Sequence, residues 1–425
     1  MKIAVFKERT IGENRVAITP EIVERVTSLG IEICIESDAG SASLFSDDDY
    51  KDKGAKIIKS TQSLAKDADI IFCVNSPSQQ LNTKNKLYEI LPHGATIIGM
   101  LDPHKNDGDL EKFSECKFST LSLELLPRIS RAQSMDVLSS QSNIAGYKAV
   151  VDAISELNKV VPMMMTAAGT IKPANILILG AGVAGLQAIA TAKRMGAVVS
   201  AFDVRPEAKE QVESLGAKFI EVKNDNAEEN TVYAKEMDDD YKKRQQELII
   251  KALSESDIVI TTALIPGRQA PILITSNMLA SCKEGSIIVD LAAINGGNVE
   301  GVVVNETTEI NGVKIIGDAF LTSKVSNDSS SLYARNLYNL FDLLWDKENK
   351  NIKIDTEDEI IDNSLLTHKG AVVHKLFKKK LESGKKKEPA TAAKKNTTST
   401  PKKILDRKPH LKKVESSNTK PQNRT

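Results

Sequence analysis

One stretch of the sequence, "NILILGAGVAGLQAIATAKRM" (175–195), constrains the fold more than any other. An apolar run of strand type leads into three glycines, Gly180, Gly182 and Gly185, and a helix-type run follows. In a strand–turn–helix unit the first glycine permits the tight turn, and the second lets the backbone approach a pyrophosphate. The third permits close packing of the helix on the strand. The spacing therefore predicts a dinucleotide-binding α/β unit.

A carboxylate follows the glycines at a separation that indicates which cofactor binds. The next strand-type run ends before Asp203, which lies 18 residues after Gly185. A carboxylate near this position binds the ribose hydroxyls of NAD and repels the 2′-phosphate of NADP. Arg205 favours NADP, because an arginine there can accept that phosphate. The pattern predicts NAD(H); a Rossmann-like unit that binds no cofactor is the alternative.

Apolar runs of strand length alternate with amphipathic, helix-like runs along most of the chain. Six strand candidates lie within residues 2–124, and six more lie within residues 174–318. Strands that alternate with helices form parallel sheets covered on both faces. The sequence therefore predicts an α/β fold of two Rossmann-like, doubly wound parallel-sheet domains around a cleft. The N-terminal domain is expected over residues 1–142, completed by about 325–375, and the NAD(H)-binding Rossmann domain over residues 143–324.

Two predicted helices connect these domains. One covers residues 143–160 and leads out of the first domain. The other covers residues 330–345 and is expected to return and pack on the first domain. Its apolar residues recur at helical spacing: Leu332, Leu337, Leu340, Phe341 and Leu344. Residues 223–247 interrupt the α/β rhythm, which predicts either a functional loop or a charged helix after a link.

The formal net charge of zero conceals a strongly basic C-terminus. Residues 375–425 contain 17 Lys and Arg against 4 Asp and Glu, a net charge of +13, so the rest of the chain carries −13. Residues 384–425 have almost no large apolar side chains and are predicted to form a disordered basic tail. A solvated extension is the simplest interpretation; attraction to anionic lipid or nucleic acid is the alternative.

Other features of the sequence exclude several classes of protein. The four cysteines form no CxxC pair and the five histidines are scattered, so neither a disulfide framework nor a metal site is predicted. The longest apolar stretch, residues 174–192, contains glycines and is followed by Lys193 and Arg194. Those residues favour a strand–turn–helix over a membrane helix.

A polar loop, "PRISRAQSMDVLSSQ" (Pro127–Gln141), contains two arginines, two glutamines, four serines and an aspartate. It has no cysteine, histidine or lysine. A dehydrogenase that oxidises an alcohol or an amine needs a group that moves a proton. Hydride transfer between two nicotinamides needs none, but the two rings must be held at near-attack distance with water excluded. The composition therefore suggests that the polar loop positions a nucleotide.

The polar loop resembles the corresponding loop in the NAD(H)-binding component of proton-translocating nicotinamide nucleotide transhydrogenases. The likeness covers about residues 1–375 and extends through several motifs. These are "KERTIGENRVAITP" (7–20), "PRISRAQSMDVLSSQSNIAGY" (127–147), "GAGVAGLQAIATAKRMGA" (180–197), "FDVRPEAKEQVESLGA" (202–217), "VYAKEM" (232–237) and "TTALIPGRQAPILIT" (261–275). The membrane segments of fused members are missing, so the chain resembles the separate soluble component of that family.

The resemblance implies a role for four residues of the polar loop. Arg128 and Asp136 would hold the nicotinamide carboxamide of NAD(H). Gln133 would reach toward the NADP(H) side of the hydride-transfer site. Ser139 belongs to the same catalytic set. From the residues alone, a hydrogen-bonded connector between the two domains is the alternative.

Further contacts with NAD(H) are implied at the positions that match the family's motifs. They are the backbone of Ile129, Ser130 and Arg131, the turn residues Gly180, Gly182, Val183 and Gly185, the adenosine-side residues Asp203, Val204, Arg205 and Leu264, and the mobile-loop residues Val232 and Tyr233. Tyr233 would close over the bound nucleotide. Val232 and Asp238 stand where the family often has glycine, which puts the closure of that loop in question.

The resemblance also implies a function and its partners. The expected reaction is reversible hydride transfer from NADH to NADP⁺, coupled to proton translocation. NADP(H) would be bound by a separate beta subunit, and a membrane-spanning subunit would carry the protons. A homodimer attached through these partners to the cytoplasmic face of the inner membrane is expected, with no specific nucleic acid.

Alanine dehydrogenase, which has the same architecture, is the main alternative. There Arg15 would bind the substrate carboxylate, and a lysine and a histidine would be required. This chain has Asn75 at the lysine position and no matching histidine in "GMLDP" (99–103). His93 and His104 flank that region without matching the pattern. A nucleotide-sensing module without turnover is a third interpretation.

Overall fold

Two large sheets organise the chain, and residues Met1–Leu381 form one unit around them. The computed structural model describes residues 1–78, 87–105, 107–221, 239–265 and 267–385, without the side chains of residues 107, 239–242 and 383–385. Of the second unit, Glu382–Thr425, the described residues are the end of a helix.

Six strands from the first third of the chain form the parallel part of an eight-stranded sheet. They are β1 (Lys2–Val5), β2 (Glu32–Glu36), β3 (Lys56–Ile58), β4 (Ile70–Phe72), β5 (Thr96–Gly99) and β6 (Ser119–Ser122). Their order is β3-β2-β1-β4-β5-β6. The helices between them along the chain are α1 (Pro20–Thr27), α2 (Asp47–Asp52), α3 (Thr61–Ala65) and α4 (Asp107–Glu115). We call this sheet with its helices the first lobe.

Helix α1 begins where the sequence predicts it. Thr19 is the extended N-cap residue, and Pro20, which has no N–H to leave unpaired, occupies the first turn. Ile22, Val23 and Val26 are its buried residues. Their spacing of three to four residues is that of a helix with one apolar face.

A long helix joins the first lobe to the second. It is α5 (Val137–Glu156), and it is followed by an exposed antiparallel hairpin of β7 (Met164–Thr166) and β8 (Gly169–Ile171). The predicted helix, residues 143–160, began six residues too late and ended four residues too late. Asp136 caps α5, so the helix begins inside the polar loop rather than after it.

The second sheet has seven strands. They are β9 (Asn175–Leu179), β10 (Val198–Phe202), β11 (Lys218–Phe219), β12 (Ile258–Thr261), β13 (Ile287–Asp290), β14 (Thr307–Ile310) and β15 (Val313–Ile316). Their order is β11-β10-β9-β12-β13-β15-β14. The helices of this part are α6 (Val183–Arg194), α7 (Ala208–Ser214), α8 (Asp239–Glu255) and α9 (Ser276–Leu279). We call this sheet with α5–α9 the second lobe.

The chain then returns to the first lobe through α10 (Ser326–Leu344). A short hairpin of β16 (Trp345–Asp346) and β17 (Asn351–Ile352) follows, and then α11 (Glu359–Ser364), β18 (Leu365–His368), β19 (Ala371–Val372) and α12 (Lys375–Lys385). The Tyr333 hydroxyl of α10 donates a 2.6 Å hydrogen bond to the carbonyl oxygen of Cys73. Leu332, assigned to the buried stripe from the sequence, is 36% exposed instead.

Both sheets are parallel in the middle and antiparallel at one edge. β18 pairs antiparallel with β6 and with β19, and β14 pairs antiparallel with β15. The sequence analysis predicted parallel sheets and did not predict β14, β18 or β19. These edge strands are short, and antiparallel edge strands on otherwise parallel sheets are common.

Alternate residues of the central strands enter different hydrophobic clusters on the two faces of each sheet. In β1, Ile3 and Val5 belong to one cluster and Ala4 to another. In β9, Ile176 and Leu177 divide between two clusters in the same way. Because both faces are covered, these strands are continuous apolar runs in the sequence. No helix among the described residues is long and apolar enough to cross a membrane.

Candidate functional site

The three glycines form the turn between β9 and α6. Gly180 has a φ of +105°, a conformation that L side chains rarely adopt. A Cβ on Gly185 would lie 1.9 Å from the carbonyl oxygen of Gly180, so only glycine permits this helix–strand contact. A Cβ on Gly182 would meet nothing within 4 Å, so the turn faces open space there.

The N-terminus of α6 fits an anionic ligand. Gly182 is the N-cap residue of α6 and supplies no side-chain hydrogen bond to the first turn. The first N–H groups of a helix have no intrahelical acceptor, and the helix dipole adds positive potential at this end. The open space at Gly182 and the uncapped N-terminus together suit the pyrophosphate of a dinucleotide. Val183, the first residue of α6, is 41% exposed at this point.

Asp203 follows β10 and lies directly beside the glycine turn. Its Oδ2 accepts a 2.7 Å hydrogen bond from the N–H of Ala181. The side chain of Arg205 donates to both carboxylate oxygens at 2.9 Å. Burial alone would raise the pKa of Asp203, but the hydrogen bonds from Arg205 and Ala181 outweigh it and lower the pKa. Asp203 is therefore ionised and held in place, while Val204 beside it is 63% exposed.

Leu264 lies in the loop that follows β12, next to the same turn. Thr262 in that loop donates a 3.0 Å hydrogen bond to the carbonyl oxygen of Gly180. The fully buried side-chain amide of Asn298 pairs with the N–H and the carbonyl oxygen of Ala263, both at 2.9 Å. Leu264 is 48% exposed on this fixed loop. The sequence analysis did not identify Asn298, whose partner Ala263 is 35 residues away.

The polar loop combines a buried side with an exposed side. Residues Ser130–Met135 form a 3-10 helix, in which Ala132 and Met135 are buried. The side chains of Arg128 and Gln133 are exposed and make no hydrogen bond or ion pair with any described residue. Both are therefore available to a ligand.

Two asparagines of α10 fix the backbone of the polar loop. The side-chain amides of Asn336 and Asn339 donate to the carbonyl oxygen of Ser134 at 2.8 Å and 2.9 Å. Asn336 also accepts a 2.7 Å hydrogen bond from Ser140. These contacts bridge about 200 residues of sequence, and the sequence analysis did not predict them. They restrict the backbone from which Gln133 projects.

Asp136 and Ser139 are paired with each other. The Asp136 carboxylate accepts from the N–H of Ser139 at 2.9 Å and from its hydroxyl at 2.6 Å. Asp136 is thus the N-cap of α5, and Ser139 lies in the first turn of the helix, not in a loop as the sequence analysis assumed. A carboxylate at this position also opposes the positive end of the helix dipole.

The side chain of Arg131 is engaged outside the site. Its guanidinium forms a bidentate ion pair with Asp358, at 2.7 Å and 2.8 Å, and Asp358 is the N-cap of α11. Ile129 is partly buried against the core of the first lobe. Of the run Ile129–Arg131, only the backbone was implied in nucleotide binding, and the structure leaves that role to the backbone.

Helix α5 links the polar loop to the glycine turn. Gly146 of α5 packs so closely on α6 that a Cβ there would lie 2.1 Å from the carbonyl oxygen of Ala184. Ala184 belongs to the first turn of α6, where a pyrophosphate would bind. Asp136 precedes Gly146 by ten residues, which is about 15 Å along the helix at a rise of 1.5 Å per residue. One rigid element thus sets the separation of the two parts of the site.

A buried polar network lies in the first lobe where the alternative assignment requires a substrate site. Arg15 donates to both carboxylate oxygens of Glu13, at 2.8 Å and 2.6 Å, and to Gln141 at 2.9 Å. Asn75 donates to Glu13 at 3.3 Å. Burial would raise the pKa of Glu13, but the charge and hydrogen bonds of Arg15 lower it to about 2. The charge of Arg15 is therefore neutralised within the protein.

Two of the predicted site residues, Val232 and Tyr233, lie outside the described residues, as does Asp238. The other predicted residues fall into two groups: those at the glycine turn and those of the polar loop. Among the residues for which coordinates are described, no group of three or more His, Cys, Asp or Glu side chains could hold a metal ion.

Models of two protein domains match nearly the whole of the described chain. The alanine dehydrogenase/PNT N-terminal domain matches residues 4–145, and the alanine dehydrogenase/PNT C-terminal domain matches residues 149–375. The chain belongs to the alanine dehydrogenase/PNT family. The boundary between the two family matches falls within α5, the helix that joins the two lobes.

Relatives within this family are close in sequence and in fold. The chain is 45% identical over 377 residues to an NAD(P) transhydrogenase subunit alpha protein of Rhodospirillum rubrum, covering 88% of this chain and 98% of that protein. It is 43% identical over 384 residues to the protein of the same name from Rickettsia prowazekii (strain Madrid E), covering 90% and 99%. The crystal structure of transhydrogenase from Sinorhizobium meliloti matches with a TM-score of 0.79 and 44% identity, covering 88% of this chain and all of that one.

Proposed function

We propose that this chain is the NAD(H)-binding subunit of a proton-translocating transhydrogenase. It catalyses hydride transfer between NADH and NADP⁺, with NADP(H) bound by a partner subunit. The observation that carries the proposal is the polar loop. It presents the unpaired side chains of Arg128 and Gln133 on a fixed backbone and contains no group suited to proton transfer. The names of the relatives, which include NAD(P) transhydrogenase, support the same reaction.

In this mechanism the protein binds and orients the nucleotide. When bound, NADH supplies a hydride from its nicotinamide ring. The N-terminus of α6 holds the pyrophosphate, and Arg128 with the cap residue Asp136 orients the carboxamide. Gln133 reaches toward the second nicotinamide. Because hydride transfer between two such rings releases no proton at the ring, orientation and exclusion of water are the catalytic requirements.

Selectivity for NAD(H) over NADP(H) rests on Asp203. Its carboxylate is ionised next to the turn, where the 2′-phosphate of NADP would meet a negative charge. Arg205 balances that charge and is 59% exposed at its side chain. An arginine already bidentate to a carboxylate has fewer donors left for a phosphate, so NAD(H) is preferred. The roles of Val183, Val204, Leu264, Val232 and Tyr233 in binding remain predictions.

Oxidation of an amino acid is disfavoured as the function of this site. Asn75, which stands at the lysine position, has no proton to take up or release at neutral pH. Arg15 is neutralised by Glu13, so a substrate carboxylate would add a second negative charge beside one that is already buried. A site with neither lysine nor histidine lacks the proton-handling group that this reaction needs.

The proposal includes a homodimer, supported by the exposed hairpin β7–β8. All six strand residues of this hairpin are exposed. Met163, Met165 and Ile171 leave 60%, 76% and 43% of their surface uncovered. An apolar patch that projects from the body of a protein suits a self-complementary contact. Analytical ultracentrifugation would then show a dimer for the wild type and a monomer for Met165→Asp.

The remaining partners are a membrane-spanning subunit and an NADP(H)-binding beta subunit. Coupling to protons requires the membrane-spanning subunit, since no helix in the described part of this chain is long and apolar enough to cross a membrane. Attachment to the cytoplasmic face of the inner membrane through these partners is part of the proposal. Co-purification of the three subunits from membranes would test it.

Hydride transfer can be measured directly. The purified chain is mixed with a purified NADP(H)-binding subunit, NADH and an NADP⁺ analogue. Rapid transfer is expected, with a loss of at least ~10-fold in the rate for Gln133→Asn, because a shift of about 1 Å at a reacting site costs that much or more. Gln211→Asn, an exposed glutamine on α7, is the matched control and should keep the wild-type rate. NADH binding without hydride transfer, together with pyruvate formation from alanine and NAD⁺, would support alanine dehydrogenase instead.

A further inference from the structure

Helix α12 is anchored by one aromatic side chain. Phe377 is 1% exposed and packs between the rings of His104 and His374, with centroid distances of 5.1 Å and 5.0 Å. The residue before it, Leu376, is 54% exposed. The helix therefore has a fixed inner side and presents a leucine to solvent on its outer side.

Lysines surround that exposed leucine. Lys378 and Lys379 are exposed and form no hydrogen bond or ion pair with any residue that the structure describes. Lys375 is paired with Asp362 at 2.7 Å and contributes less net charge. Lys379 lies three residues after Leu376, so the two side chains share a face of the helix.

The basic surface continues onto the edge of the first sheet. Lys369 is exposed in the turn between β18 and β19, and Gly370 of that turn lies beside the exposed Lys117. β19 is the edge strand of the sheet and leads into α12. We call Lys117, Lys369, Leu376, Lys378 and Lys379 the basic edge.

The sequence after α12 has the same chemistry. Residues 386–425 contain 12 Lys and Arg against 3 Asp and Glu, a net charge of +9, and no Phe, Trp or Tyr. Aliphatic residues lie among the lysines in "PKKILDRKPHLKKVE" (401–415). The family match ends at residue 375, where α12 begins. Alignment to the Rhodospirillum rubrum relative uses 377 residues of this chain and already covers 98% of that protein. The basic helix and its extension therefore lie beyond the part shared with the family.

We propose that the basic edge and the basic segment after α12 dock on a lipid surface that carries anionic phospholipid headgroups. Clusters of lysine are drawn to anionic lipid by the surface potential of the leaflet, and an adjacent exposed leucine can enter the interface. This contact is independent of the transhydrogenase reaction.

Lipid fits these residues better than nucleic acid does. Of the 12 basic residues in 386–425, only Arg407 and Arg424 are arginine, the side chain that reads base edges and binds phosphate bidentately. Single-stranded nucleic acid is bound by aromatic side chains on which the bases stack, and the segment has none. Aliphatic side chains among lysines suit the boundary between headgroups and acyl chains.

The test is co-sedimentation of the full chain with vesicles. One set contains equal parts of phosphatidylglycerol and phosphatidylcholine, and the other contains phosphatidylcholine alone. Binding is expected to the anionic set only and to disappear at high salt, because surface charges are screened beyond a Debye length of about 3 Å at 1 M. The double variant Lys378→Glu/Lys379→Glu should bind the anionic vesicles at least ~10-fold more weakly, since each lysine near such a surface contributes a several-fold increase in affinity.

The matched control is Lys347→Glu/Lys350→Glu, which makes the same charge change in the exposed turn between β16 and β17. It should lose less than half as much affinity as the α12 variant. Both variants should keep the melting temperature and the rate of hydride transfer in solution, so a failure of the lipid proposal is distinct from a failure of the proposed function. Equal binding to both vesicle sets, equal losses in the two variants, or displacement of the chain from vesicles by equimolar duplex DNA would each overturn the proposal.

Discussion

The contact between α5 and α6 makes Gly146 the most informative position for a substitution. A Cβ added to Gly146 would lie 2.1 Å from the carbonyl oxygen of Ala184, whereas ordinary contacts begin at 3.4 Å. In Gly146→Ala the two helices must therefore separate by about 1 Å. The clash costs roughly 1–3 kcal/mol, and alanine in place of glycine within a helix returns roughly 1 kcal/mol. The free energy of unfolding should fall by at most about 2 kcal/mol.

NADH binding should respond more strongly than stability to the same change. The displaced atom belongs to the first turn of α6, so a shift of about 1 Å moves the pyrophosphate site relative to the polar loop. We expect the Kd for NADH to rise by roughly 10–100-fold, because a misplacement of about 1 Å at a positioned site can have that cost. Isothermal titration calorimetry gives the Kd, and urea denaturation gives the free energy of unfolding.

Gly108→Ala is the control for this experiment. Gly108 is exposed in α4, and a Cβ there would meet nothing within 4 Å. This variant should be as stable as the wild type, or more stable by up to roughly 1 kcal/mol, with an unchanged Kd for NADH. Wild-type affinity in Gly146→Ala would refute the argument that α5 sets the position of the nucleotide site.

Three further outcomes follow from the same geometry. Gly182→Ala should keep the wild-type melting temperature but weaken NADH binding in calorimetry, because its Cβ enters the open space of the ligand, whereas Gly185→Ala should lower the melting temperature because its Cβ meets a backbone oxygen at 1.9 Å. Because the folded-state pKa of Glu13, about 2, lies below its usual value of 4.5, its stabilisation is present above pH 4.5 and lost as the pH falls toward 2. Urea denaturation across that range should show a shallower loss of stability for Glu13→Gln than for the wild type. Arg205→Gln should weaken NADPH binding more than NADH binding in fluorescence titrations, since Asp203 loses its counter-charge; equal losses would contradict that role.

The local pattern of the sequence predicts the parts of this fold that depend on neighbouring residues. The start of α1 at Pro20 and the turn at Gly180 each follow from chemistry within a few positions. The central strands are also recognisable, because both of their faces are buried and their runs are continuously apolar. The edge strands β14 and β18 are not, since their pairing depends on strands elsewhere in the chain.

The candidate site divides in the same way. The glycines and the polar loop could be identified from the sequence, but not the side chains that fix them. Arg131 pairs with Asp358 across 227 residues, and Asn336 reaches Ser134 across 202. No periodicity encodes such contacts, because each partner by itself resembles an ordinary surface residue. The early start of α5 was missed for a different reason: Asp136 was interpreted as a ligand-binding residue, and its capping role was not considered.

The ten residues between Asp136 and Gly146 have a consequence for how this family can vary in length. Each residue of an α-helix adds 1.5 Å and a rotation of about 100°. One inserted or deleted residue in this stretch would swing the polar loop by roughly a quarter of a turn around the axis of α5, away from a nucleotide whose pyrophosphate stays fixed at α6. Insertions are therefore expected to be tolerated at surface turns such as the one between β16 and β17, and to be excluded between Asp136 and Gly146 in any member that uses both ends of the helix.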